Sequence, residues 1–134
     1  MRELVVTRHF HLRLHSIRRL LVLYRTKEPF ETIAALDQCF DAIERGLSHL
    51  RRDTFGLLVD VRDGPVRNDV EFERAFARNR QHLFQGFPRI AVVTATAVGG
   101  MQVARHARAD HSGAQAFGSV EEALRYLGVT GTTI

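Results

Sequence analysis

The run FGLLVDV at residues 55–61 constrains this chain more than any other segment. It is short, almost continuously apolar, and closed by Arg62, Asp63 and Gly64. Such a run fits a strand buried on both faces, and a strand of that kind needs helices packed over its sheet. The rest of the sequence supplies them. Ile33, Leu36, Phe40, Ile43, Leu47 and Leu50 recur at spacings of three and four. They predict an amphipathic helix with Pro29 in its first turn, Cys39 at the edge of its apolar stripe, and Gly46 loosening its last turn. Phe72, Phe76, Leu83 and Phe84 mark a second helix, opened by Asn68 and Glu71 at capping-box spacing and ended by Gly86 and Pro88. Residues 90–96 read as another buried strand. Val98, Met101, Ala104, Arg105 and Ala107 outline a third helix of small, partly polar character, and residues 114–118 a closing strand. Ser119 and Glu122 repeat the capping spacing before a last helix that stops at Gly128.

Upstream, Phe10, Leu12 and Leu14 alternate with His11, Arg13 and His15, and an apolar run at residues 20–24 follows a polar break. This is the pattern of an antiparallel hairpin. Residues 3–8 either extend its first strand or form a separate one. The expected fold is α/β: a mixed, mainly parallel sheet of four to five strands with an opening antiparallel hairpin, covered by about four helices. A length of 134 residues suits one domain, with an ordered core over residues 3–128 and a frayed tail at 129–134.

Charge is unevenly spread. Residues 1–27 hold Arg2, Arg8, Arg13, Arg18, Arg19, Arg25 and Lys27 against Glu3 alone, whereas residues 28–49 hold Glu28, Glu31, Asp37, Asp41 and Glu44 against Arg45. Two surfaces of opposite sign could pair in a symmetric homodimer. The single cysteine makes no internal disulfide, and the first ten residues lack the apolar stretch of a secretory signal, which points to a reducing cytoplasm. The apolar run at residues 20–24 is far short of the roughly 20 residues that span a bilayer.

The segments FGLLVDVRDGPVRNDVEFERAF and PRIAVVTATAVGG, taken with the order of elements, resemble a STAS-type domain of the SpoIIAA-like, anti-anti-sigma-factor class over residues 10–128. The resemblance implies a non-enzymatic regulatory module that binds a protein partner, such as a regulatory kinase or a larger sensory assembly. The partner surface would be the turn after the central strand, comprising Arg62, Asp63, Gly64, Arg67, Asn68 and Asp69. Phosphorylatable relatives carry a serine at the start of the following helix. Residues 63–70 contain no serine or threonine, and an ungapped match from Asp60 places Asp69 at that position. Either Asp69 supplies a standing negative charge in place of phosphate, or Asn68 caps the helix while Asp69 and Glu71 complement its dipole.

Other constellations are weaker. His9, His11 and His15 could face a metal, but Arg8 and Arg13 would repel it, so no cofactor or metal is expected. Gly99 and Gly100 open a helix without any nucleotide-binding glycine pattern. Cys39, Ser16, Ser48, Ser112 and Ser119 lack the surroundings of a nucleophile. Two alternatives stand beside the regulatory reading. One is a nucleic-acid or anionic-surface binder using Arg8, Arg13, Arg18, Arg19 and Arg25; the other is a small-molecule or lipid binder, which an unfilled apolar cavity would favour.

Overall fold

The computed structural model describes residues 1–67 and 69–129. Period-two alternation places Phe10, Leu12 and Leu14 on one face of β2 (Phe10–His15), all buried, and the next run forms β3 (Leu20–Arg25) antiparallel to it. Residues ahead of the hairpin form a separate strand, β1 (Arg2–Val6), antiparallel to β2, with a register shift between Glu3 and Val5. β4 (Gly56–Asp60), β5 (Ile90–Val93) and β6 (Gln115–Phe117) continue the sheet in parallel from β3. The order in space equals the order in sequence, β1 to β6. The expected mixed α/β architecture is present, with six strands because β1 adds an edge.

Three helices cover one face. α1 (Ile33–Leu47) lays Leu36, Phe40, Ile43 and Leu47 on it, and α2 (Val70–Phe84) adds Phe72, Ala75, Leu83 and Phe84. α3 (Ala97–Asp110) contributes only the partly buried Val103 and Ala107. The opposite face carries α4 (Val120–Tyr126), whose Ala123 and Leu124 pack on Leu20, Val22, Leu58, Ala91 and Val93. The buried strands β4 and β5 therefore meet helices on both sides, as their unbroken apolar sequence requires.

Several local expectations are corrected. α1 begins after Thr32, whose hydroxyl accepts from the Ala35 amide at 3.0 Å; Pro29 lies before the helix and Leu50 beyond it. Gly46 serves packing: a Cβ there would fall 2.3 Å from Val5 Cγ2, so its absence lets α1 lie close to β1. Gly99 and Gly100 open α3 as expected, in the first turn that Thr96 caps. Val129 belongs to the second core, 7% exposed, so the ordered chain extends past Gly128; the rest of the expected tail, residues 130–134, lies outside the described residues. Gly128, at φ 76°, closes α4 with paired bonds from its own amide to the Arg125 carbonyl and from Val129 to Leu124.

The charge asymmetry is partly consumed within the chain. Arg8 pairs with Glu28 at 3.3 Å and Arg13 with Glu3 at 2.9 Å. The acidic α1 is bound by other elements, Asp37 by Arg78 and Asn79 of α2, and Glu44 by Arg52.

Candidate functional site

α2 and α3 both start at the end of the sheet where β4 and β5 finish, and the two helices are spread apart over β4 and β5. Between them lies a cleft of about 520 Å³. Its floor is Leu23, Val59 and Val92, and its walls include Phe40, Phe76 and Val103. The partition of side chains explains the gap: α3 buries no apolar residue fully, and most of its cleft-lining positions are small or polar. Arg80 holds the far end of the two helices together. Its Nε donates to Asp110 Oδ2 at 2.7 Å, and Gln81 donates to Asp110 Oδ1 at 2.9 Å. The Asp110 side chain is only 3% exposed. Its burial disfavours the carboxylate, but the bonds from Arg80 and Gln81 outweigh this and hold its pKa below the ordinary value.

The turn after β4 forms the rim. Asp60 binds Arg62 through both oxygens, at 3.0 and 2.9 Å, and accepts the Arg62 amide at 3.1 Å. Tyr24 donates its hydroxyl to Asp63 at 2.5 Å, an arrangement that raises the phenol's pKa. Arg67 lies over the Phe72 ring at 3.3 Å and donates to the Phe30 carbonyl at 2.7 Å. Asp69 is the N-cap of α2, accepting from the Glu71 and Phe72 amides at 3.0 and 3.4 Å, and Arg67 approaches its other oxygen at 3.4 Å. The Phe72 amide, followed by Glu71 and Arg67, keeps Asp69 below the usual carboxylate range. The capping role expected of Asn68 is thus filled by Asp69, while Asn68 itself lies outside the described residues. Of the expected rim residues, Arg62, Gly64 and Arg67 line the cleft; Asp63 is tied to Tyr24 and Asp69 to the start of α2.

The arginines assigned to an anionic surface are divided. Arg18 is exposed, and Arg19 sits over the Phe55 ring at 4.5 Å. Arg25 is not a surface residue: it is 5% exposed, packs over the rings of Phe10 and Phe30, and lines the cleft. Its Nη1 donates to the carbonyls of His9, Thr26 and Glu28 at 3.2, 2.8 and 2.8 Å. The three histidines of the hairpin have separate surroundings. His9 stacks on Phe30 at 4.0 Å and His11 lies against Tyr24; among the described residues no group of three or more His, Cys, Asp or Glu side chains could hold a metal ion. Cys39 is buried beside the Thr7 hydroxyl at 3.2 Å, and burial pushes its thiol pKa up.

Glu73, Arg80, Asp110, Thr94 and His106 also line the cleft, and no spacing in the sequence marks them as a group. Burial lowers the pKa of His106, and Arg80 and Arg105 lower it further against the opposing pull of Asp110 and Glu73. His9 and His15 are lowered too, burial being the main cause in each. Between those depressed values and 6.5 the unfolded chain binds more protons than the folded one, so stability falls as pH drops through that window. Thermal unfolding followed from pH 7.5 to 5.5 should show a declining midpoint, and His106→Asn should flatten the decline.

No protein-family model and no curated protein sequence matches the chain. A solved structure does: an uncharacterized protein from Shewanella loihica PV-4, described as a member of the DUF3478 family with a SpoIIAA-like fold. The similarity covers 88% of this chain and 91% of that one, at a TM-score of 0.65 and 12% sequence identity. With its opening antiparallel hairpin, parallel strands and covering helices, this chain has the SpoIIAA-like fold expected from its sequence.

Proposed function

We propose that this chain is a non-enzymatic binding module that takes a small, largely apolar molecule into the cleft between α2 and α3. The carrying observation is the unfilled volume of about 520 Å³ over an apolar floor. Ligand sites typically occupy roughly 300–1,000 Å³ and combine apolar walls with a few polar groups. Domain interiors are otherwise close-packed, and unfilled space among apolar side chains lowers stability. The ionisable pairs around the cleft, Arg62 with Asp60 and Arg80 with Asp110, have the bonding of structural links rather than of an acid and base poised for proton transfer. Titration of the isotope-labelled chain with decan-1-ol should give saturable amide shifts at Val59, Phe76, Val92, Val103 and Ala107. Absence of saturable shifts up to the solubility limit of the alcohol would sink this reading.

A second reading is favoured by the exposure of Val66 at 85% and Val70 at 60% on the rim and start of α2. Apolar side chains presented this way fit a protein partner docking on Arg62, Asp63, Gly64, Arg67 and Asp69, as in a regulatory module. Asp69 would contribute a standing charge there. Such a partner would be displaced by Val66→Asp, a change that leaves the cleft floor intact.

A further inference from the structure

From the unpaired donors of Arg25 we propose that the ligand of the cleft is a monocarboxylate with an apolar body, the carboxylate at Arg25 and the body lying between α2 and α3. This rests on the cleft being a ligand site, and it adds the chemistry of the head group.

The argument begins with Arg25, a cation that is 5% exposed. Taking a guanidinium out of water is expensive unless an anion accompanies it, and buried charges are accordingly paired. No carboxylate pairs with Arg25 among the described residues. The three carbonyls satisfy Nη1, and the rings of Phe10 and Phe30 lie against the guanidinium, yet neither Nε nor Nη2 has a protein acceptor among the described residues. A guanidinium has five donors in a fork whose geometry matches a carboxylate.

Its neighbours set the charge of the missing partner. Arg62 and Arg67 line the same end of the cleft, but each already has a carboxylate, Asp60 for Arg62 and Asp69 for Arg67. The two free donors of Arg25 match one carboxylate, and Glu73, which lines the cleft from the first turn of α2 without an ion pair among the described residues, disfavours a second negative charge. The loop is built onto the arginine. A Cβ on Gly64 would fall 2.9 Å from Arg25 Cγ, so glycine allows the rim to press on the arginine's stem while its head still borders the cleft. Beyond the head, Leu23, Phe40, Val59, Phe76 and Val92 offer an apolar path, where a hydrocarbon or aromatic body is removed from water.

The test is calorimetric titration of the full chain at pH 8 with decanoate, decan-1-ol and decyl phosphate. Decanoate should bind at least about tenfold more tightly than the alcohol, equivalent to ~1.4 kcal/mol, and more tightly than the phosphate. In Arg25→Gln the ratio of acid to alcohol affinity should fall to near one. Should that variant fail to fold, the wild-type Arg25 Nε–H resonance decides: it should shift with decanoate and not with decan-1-ol. Equal affinity for acid and alcohol, or a preference for the phosphate, overturns the head-group assignment while the cleft remains a ligand site. No binding of any of the three overturns both.

Discussion

Replacing Arg52 with alanine should lower the unfolding free energy by about 2–4 kcal/mol, because one guanidinium holds two helices and a strand connection in place. Arg52 lies in the short 3-10 turn Arg52–Thr54 before β4. Its Nη2 pairs with Glu44 of α1, and its Nη1 donates to the carbonyls of His82 and Leu83 in the last turn of α2 and of Gln85 just beyond it. A helix C-terminus carries unpaired carbonyls and partial negative charge, so a cation placed there satisfies both. The side chains of Arg52 and Glu44 are 21% and 24% exposed, and Glu44 Oε1 is already buried without a partner. Alanine would leave the Glu44 carboxylate half-buried and uncompensated, a larger loss than that of an exposed ion pair. Urea unfolding of wild type and Arg52→Ala would measure the difference, and Arg52→Ala with Glu44→Ala should recover part of it. A loss below about 0.5 kcal/mol would mean that water replaces the arginine at the helix end.

The consequence reaches the cleft. Arg52 fastens the C-terminal end of α2, and Arg80 with Gln81 fastens the same region to α3 through Asp110. The opposite end of α2 is held by the Asp69 cap and the Arg67 contacts of the rim. The firmer anchors thus lie at one end of the cleft and the smaller, more exposed ones at the other. Entry from the rim end would disturb the fewest buried bonds.

Much of this arrangement is legible in the sequence, and the unread parts have physical reasons. The unbroken apolar runs of β4 and β5 announce strands covered on both sides, and the spacing of Leu36, Phe40, Ile43 and Leu47 announces α1. β1 is harder to separate because the irregularity between Glu3 and Val5 breaks its alternation. Asn68 and Glu71 have capping-box spacing, but so do Asp69 and the amide of Phe72, and only geometry decides between them. Arg25 was readable in principle: Leu21, Leu23 and Arg25 share one face by period two, so the arginine continues a buried row. Its charge argued for the surface, and the pattern prevailed because Phe10, Phe30 and three carbonyls form a polar and aromatic seat for it. The cleft itself has no sequence signature. Phe76 and Leu83 look like ordinary core residues, and the space beside them exists because Val103 and Ala107 are the only apolar side chains that α3 packs on that core.

Filling that space should separate binding from folding most sharply. Ala107 lines the cleft from α3 and is partly buried against the first core. In Ala107→Phe the new ring would enter volume now unoccupied, with Val103 and the floor of β4 and β5 around it. Burying an aromatic side chain contributes about 1.5–3 kcal/mol, less the entropy of fixing it, so stability should rise by about 1 kcal/mol. The same ring would occupy the path of a ligand body, and affinity for decan-1-ol should fall by about hundredfold, equivalent to ~2.8 kcal/mol. Most mutations that abolish binding also weaken the fold; here the two changes should run in opposite directions. Thermal unfolding and titration of the same preparation would measure both. A destabilised variant would show that the cleft is closed in solution and that the phenylalanine overpacks it. Undiminished affinity would place the alcohol elsewhere on the protein.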